Sequence, residues 1–286
     1  MPFEGPDITE AEPASPDFCA DDADVVIRVA GTRSFRVHKP ILSLVSPVFK
    51  DMFTIPQPPA GTPGTLPHVD VDESAEAWEN ILRTIYPMPT PIVHNINDLE
   101  SLLFAAKKYE MQFVIDSHIR AFESRDFIQQ DPLHLYAIAC ACGLEGQAKY
   151  VARNAEFPKI TGRSDAGDLR GLTVGSYHNL VSFLAQRDSE WNQALHETQT
   201  PGGCRCNQPW KDFLYHKIKQ NLKTTHLQTG EIYLKALEDR AQSRQPGCAA
   251  DNCSVLGSEI KEFIERVVKR REDLYDKLMC EKRYVQ

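Results

Sequence analysis

No stretch of the chain stays apolar for the roughly 20 residues that a membrane-crossing helix needs. The first residues, MPFEGPDITEAEPAS, lack both the basic start and the apolar core of a secretory signal. Positive charge is also short: 32 Lys and Arg stand against 40 Asp and Glu, a formal net charge of −8. Phosphate backbones are held by basic surfaces, so the charge argues against a general nucleic-acid binder, and no nucleic-acid or membrane partner is expected. An intracellular place, cytoplasmic or nuclear, is the expectation. The eight cysteines are then expected as reduced thiols or metal ligands, not as a disulfide framework. The sequon Asn252-Cys253-Ser254 is expected to carry no glycan.

Catalytic signatures are absent too. Gly-x-Gly-x-x-Gly, Gly-x4-Gly-Lys-Ser/Thr, His-Glu-x-x-His and Gly-x-Ser-x-Gly do not occur. The carboxylates are scattered along turns and polar helix faces, with none isolated in an apolar run that would raise its pKa for acid chemistry. A non-catalytic protein without a cofactor is expected. No period of 20–50 residues is evident, which argues against a solenoid. What remains is an ordinary globular composition, 42% hydrophobic and 25% charged over 286 residues, enough for one large or two small cores.

The informative stretch runs from Asp24 to Phe53. In DVVIRV, Val25, Ile27 and Val29 alternate with Val26 and Arg28, the period of a strand. After a polar turn at Gly31–Arg33, Phe35 and Val37 alternate with Ser34, Arg36 and His38, completing a hairpin. The period changes at Lys39-Pro40, where proline fits the first turn of a helix carrying Ile41, Leu42, Leu44 and Val45. Ser46-Pro47 starts a second helix carrying Val48, Phe49, Met52 and Phe53.

Three words in this stretch, D-V-V-I-R-V, F-R-V-H-K-P-I-L and S-P-V-F-K-D-M-F, together resemble a BTB/POZ domain. Further on, DPLHLYAIACACGLEGQA (131–148) resembles the segment that follows this domain in the large fungal group of BTB proteins. The resemblance implies an α+β fold: a small sheet flanked by helices, followed by an all-α C-terminal region. It implies the organisation 1–16 arm, 17–125 BTB/POZ domain, 126–200 helical extension and 201–286 cysteine-containing helical region. It implies a protein–protein interaction module that pairs with itself as a scaffold or regulator. Its motif residues, placed on this chain, are Asp24, His38, Lys39, Ser46, Phe49, Met52 and Phe53.

Some relatives instead deliver substrates to a cullin-type ubiquitin ligase. They often carry a hydrophobic-x-Glu word after the second helix, and none lies between Phe53 and Leu66. Pairing without ligase contact is therefore favoured. The polar, acidic residues 1–16 read as a mobile arm, without the apolar helix and strand of swapped BTB dimers. Pairing is expected instead through the helices near Ser34–Phe53.

Asp24 and Lys39 have two readings: a charged pair at a dimer groove, or a capping carboxylate and an exposed lysine. His38 reads as a half-buried, hydrogen-bonded histidine. Asp17, Asp21, Asp22 and Asp24 lack calcium-loop spacing and read as a solvated acidic turn.

Beyond a Pro/Gly-rich loop (55–67), Val69 and Val71 mark a short strand. Asp72-Glu73-Ser74 caps a helix carrying Trp78, Ile81, Leu82, Ile85 and Tyr86; Asn97-Asp98 caps one carrying Leu99, Leu102, Leu103 and Ala106. Val114, Ile115, His118, Ile119 and Phe122 stripe a third. Asp131-Pro132 opens a helix closed by Gly143, with an apolar face of Leu133, Tyr136, Ala137 and Cys140. Cys140 and Cys142, two apart on that helix, face apart and read as small buried thiols. Another helix, about Gln147–Phe157, is ended by Pro158, and a longer one runs from Tyr177 to about His196.

Cys204, Cys206, Cys248 and Cys253 sit in two Gly/Pro-containing loops around helical segments. C-x-C and C-x4-C leave two readings open, a structural zinc site or four exposed thiols. From Ser258 a long helix shows an apolar side and mixed charges, and the pattern leaves open whether that side packs on the protein or on a partner.

Overall fold

The computed structural model describes residues 16–29, 33–55, 66–162, 169–197 and 254–280. The N-terminal arm, most of the 55–67 loop, the linker 163–168 and the four zinc-candidate cysteines lie outside the described residues.

Three strands form one sheet in the order β2-β1-β3. β1 (Val25–Val29) is central and pairs antiparallel with β2 (Arg33–Val37) and parallel with β3 (His68–Val71). The alternation read in the sequence is the burial pattern itself: Val25, Ile27, Val29, Phe35 and Val37 are buried. On the other face, the ladder sets Arg28 opposite Asp70. The guanidinium donates to both carboxylate oxygens, at 2.7 and 3.0 Å. That hydrogen-bonded cation holds the Asp70 carboxyl below its ordinary value.

Two short helices follow the hairpin, α1 (Lys39–Val45) and α2 (Pro47–Thr54), each with proline in its first turn. α3 (Ala75–Ile85) is capped by Ser74, whose hydroxyl accepts from Ala77 N–H at 3.1 Å. The cap of α4 (Ile96–Lys108) lies two residues before the expected one. Asn95, not Asn97-Asp98, is the N-cap, and its side chain accepts from Asp98 N–H at 2.8 Å. α5 (Gln112–His118) runs into a 3₁₀ turn, Ile119–Glu123. The apolar stripes of these helices are core: Trp78, Ile81, Leu82, Leu99, Leu102, Leu103, Val114 and Phe122 are buried.

α6 (Arg125–Gln130) was not anticipated from periodicity, being only six residues long. α7 (Pro132–Cys142) keeps its expected ends: Asp131 accepts from His134 N–H, and Gly143 adopts the left-handed φ of +72° that closes the helix. Its burial exceeds the expected single stripe, because every residue from Pro132 to Ala139 is buried. Gly171, at φ +79°, lies against the Ala141 side chain so closely that a Cβ would overlap it, which restricts the position to glycine.

Contacts divide the chain into two compact units, one reaching Gln147 and including the 168–171 segment, the other holding the rest. The second unit contains most of α8 (Glu145–Asn154), then α9 (Phe157–Thr161), α10 (Val174–Glu197) and α11 (Ser254–Cys280). Pro158 sits in the first turn of α9 and does not end α8, which stops at Asn154. α11 packs along α10, with Ile264 and Val267 buried and Lys269 and Arg270 exposed. Among the described residues, no helix is long and apolar enough to cross a membrane.

Inside this unit Arg187 is only 6% exposed. Its guanidinium donates to the carbonyls of Ala152, Arg153 and Ala155, the closest at 2.8 Å. It also grips the Asp188 carboxylate at 2.7 Å and lies 5.9 Å from the Tyr275 ring. The carbonyls left over at the end of α8 are thus met by a cation where the helix dipole favours one.

Candidate functional site

The motif residues of the first stretch gather where the hairpin hands over to α1 and α2. Asp24 accepts a bond from the main-chain N–H of Lys39 at 2.7 Å. The carboxylate caps the start of α1, and the ammonium is directed elsewhere: Lys39 Nζ lies 5.6 Å from the centre of the Phe53 ring. His38 is half-buried, and Tyr86 clasps it twice. The phenol oxygen accepts from the His38 main-chain N–H at 3.0 Å and lies 2.9 Å from Nδ1. A phenol already accepting from the main chain can donate its own proton to Nδ1, which puts the ring proton on Nε2, 3.4 Å from Asp22. Burial, followed by the nearby Asp24 and Asp22 charges, pushes the Tyr86 phenol above its ordinary value.

Ser46 and Phe49 work from beneath. Both are fully buried. The Ser46 hydroxyl accepts from Phe49 N–H at 3.1 Å and donates to the Tyr109 carbonyl at 2.6 Å, fastening the start of α2 to the end of α4. The Phe49 ring stacks on Tyr109 at 4.9 Å and meets Trp78 edge-on at 5.9 Å. These two residues set where α2 stands and touch no solvent. The outward apolar groups are different ones. Leu44 is 85% exposed and Ile55 60%. Half-buried Ile41 and Val45 lie beside Leu44 on α1, and Val48 and Met52 continue along α2. Leu44, read with the apolar positions of α1, contributes nothing to the core of the protomer.

A polar cluster that periodicity missed braces the same helices from the other side. Glu73 takes the Lys108 ammonium at 2.6 Å, the Trp78 indole N–H at 3.2 Å and the Tyr109 hydroxyl at 3.1 Å. Burial would raise the Glu73 carboxyl, yet the hydrogen bonds from Lys108, from its own main chain and from Trp78 outweigh it and hold the carboxyl low. Burial, then the Glu73 charge, pushes the Tyr109 phenol up to about 12. The only sequence signal for this role was the position of Glu73 immediately before the helix cap Ser74.

A pH dependence follows. The carboxyl is depressed in the folded chain, so the unfolded chain binds the proton more readily. The stabilisation is complete above the ordinary carboxyl range and is lost as pH falls through the lower folded value. Urea midpoints measured from pH 6 down to pH 3 are expected to fall less steeply for Glu73→Gln than for the wild type.

Neither thiol of α7 has the low pKa of a reactive cysteine. Burial raises Cys140, and burial pushes Cys142 up to about 11. Among the described residues, no three His, Cys, Asp or Glu side chains converge as a metal site.

Comparison with known families adds one finding. Residues 18–125 match the BTB/POZ domain. This part of the chain is therefore a BTB/POZ domain, a fold generally used for protein–protein interaction. No curated protein matches the chain.

Proposed function

We propose that this BTB/POZ domain pairs with a second copy of the chain through α1 and α2, and that the paired protein acts as a scaffold or regulator. The observation that carries this reading is Leu44, 85% exposed on a helix where Ile41 and Val45 are also only half-buried. A large aliphatic side chain held in water forgoes about 1.5–3 kcal/mol of burial, and a two-fold axis recovers that from both copies. The buried Ser46–Tyr109 and Phe49–Tyr109 contacts hold this face rigid beforehand, which lowers the cost of association. The resemblance of residues 131–148 to the fungal type of BTB extension supports a place in that group, with the helical region beyond it presenting a further partner surface.

Sedimentation velocity tests the pairing. Dimers are expected for the wild type at micromolar concentration. Leu44→Glu is expected to weaken them at least about 100-fold, since a carboxylate would be buried unpaired. Compared at concentrations where both are monomeric, its thermal midpoint should match the wild type, because Leu44 supports no core contact. A wild type that is strictly monomeric at high micromolar concentration would refute the reading. Tight stoichiometric binding of a cullin N-terminal fragment would favour the ligase-adaptor role in its place.

A further inference from the structure

A second surface on the BTB/POZ unit uses none of the residues assigned to pairing. The irregular segment Thr90–His94 and the α5–α6 turn line a groove of about 430 Å³. That is within the range of pockets that hold ligands, about 300–1,000 Å³. Phe127, buried, forms part of its floor, and Ile92, 78% exposed, stands at its edge.

Three sets of polar groups in this groove are unspent. His118 lines it and is 5% exposed. The Thr84 hydroxyl gives its single proton to the Asn80 carbonyl at 2.7 Å, so at 3.0 Å from His118 Nε2 it must accept. The imidazole proton is therefore on Nε2, and Nδ1 is a bare acceptor with no partner among the described residues. Arg120 and Asp126 line the same groove, both exposed, and neither pairs with the other or with any described residue. The main chain from Pro89 to His94 makes no hydrogen bond to the described residues. Pro89 and Pro91 have no N–H, so Thr90 and Ile92 supply the donors between and beside them.

A main chain without hydrogen-bond partners can be matched by another main chain. A bare imidazole nitrogen asks for an N–H, a guanidinium without a partner asks for a carboxylate, and an apolar floor asks for an aliphatic side chain. We propose that this groove binds an extended peptide segment of a partner protein carrying an aliphatic residue close to an acidic one. The aliphatic side chain rests on Phe127 and Ile92, the carboxylate meets Arg120, and a main-chain N–H is accepted by His118 Nδ1. This reading is independent of self-association, since it uses neither α1 nor α2.

The test is selection from a phage library of random 12-residue peptides on the full chain, followed by fluorescence anisotropy with the enriched peptides. The enriched sequences are expected to share an aliphatic and an acidic residue. Arg120→Glu and Ile92→Asp, both at exposed positions, are each expected to weaken binding at least about tenfold while leaving the thermal midpoint and the sedimentation coefficient unchanged. Four results would overturn it: no enrichment over an unrelated protein, a basic or wholly apolar consensus, binding indifferent to both substitutions, or variants that alter self-association, which would make the groove a contact between copies.

Discussion

Arg187→Met is expected to lower the unfolding free energy of the second unit by about 3–5 kcal/mol, the range seen when one partner of a buried charged network is removed. The substitution keeps much of the side-chain volume, so packing is not the main loss. What is lost are the donors to the carbonyls of Ala152, Arg153 and Ala155. Each carbonyl left buried without a donor costs about 1–3 kcal/mol, unless the end of α8 frays to reach water. Arg187→Lys should recover little, because an ammonium cannot serve three carbonyls and the Asp188 carboxylate from one planar fork. Urea titration followed by circular dichroism, with pulse proteolysis to identify which segments open, checks the result. Cleavage should appear first between α8 and α11, with β1–α5 still protected. An unfolding curve superimposable on the wild type would show that the buried guanidinium is replaceable.

Phe49→Ala is expected to destabilise the BTB/POZ unit by a similar amount, about 3–5 kcal/mol. The ring is fully buried, stacked on Tyr109 and met edge-on by Trp78, so truncation opens a cavity between three helices. The cavity also borders Glu73, because Trp78 and Tyr109 donate to its carboxylate. Phe49→Leu, which keeps most of the apolar volume, should cost much less. Thermal unfolding of the two variants beside the wild type measures both effects. Because Phe49 sets the position of α2 without touching solvent, the leucine variant should self-associate nearly normally, in contrast to Leu44→Glu.

The backbone plan was readable wherever one residue's neighbours in sequence are its neighbours in space. The alternation of Val25, Ile27 and Val29, the proline-opened helices at Pro40, Pro47 and Pro132, and the stripe Trp78–Ile81–Leu82 all appear as expected. Less was readable where a competing local choice existed. Asn95 and Asn97 are both good caps, and the chain uses the first. Pro158 can end one helix or begin the next, and it begins α9.

Least readable were charged residues whose partners lie far along the chain. Glu73 is 35 residues from Lys108, and Arg187 is 32 from Ala155. By type, each would be assigned to a solvated face. Of the motif residues, sequence reasoning located the group but could not sort it. Ser46 and Phe49 prove internal and Asp24 holds a main-chain N–H, whereas the outward Leu44 is not one of the motif residues.

The burial of α7 on every side bears on where this protein can be cut. The family match ends at residue 125, whereas the compact unit continues to Gln147. Expressing the domain by its homology limits would strip away a helix that packs on α4 and whose His134 lies 3.2 Å from Glu100. The α4 surface so uncovered would meet water instead of α7. A fragment ending at Gln147, past the left-handed turn at Gly143 and the Leu144 N–H that closes the helix on the Ala139 carbonyl, keeps that cover in place.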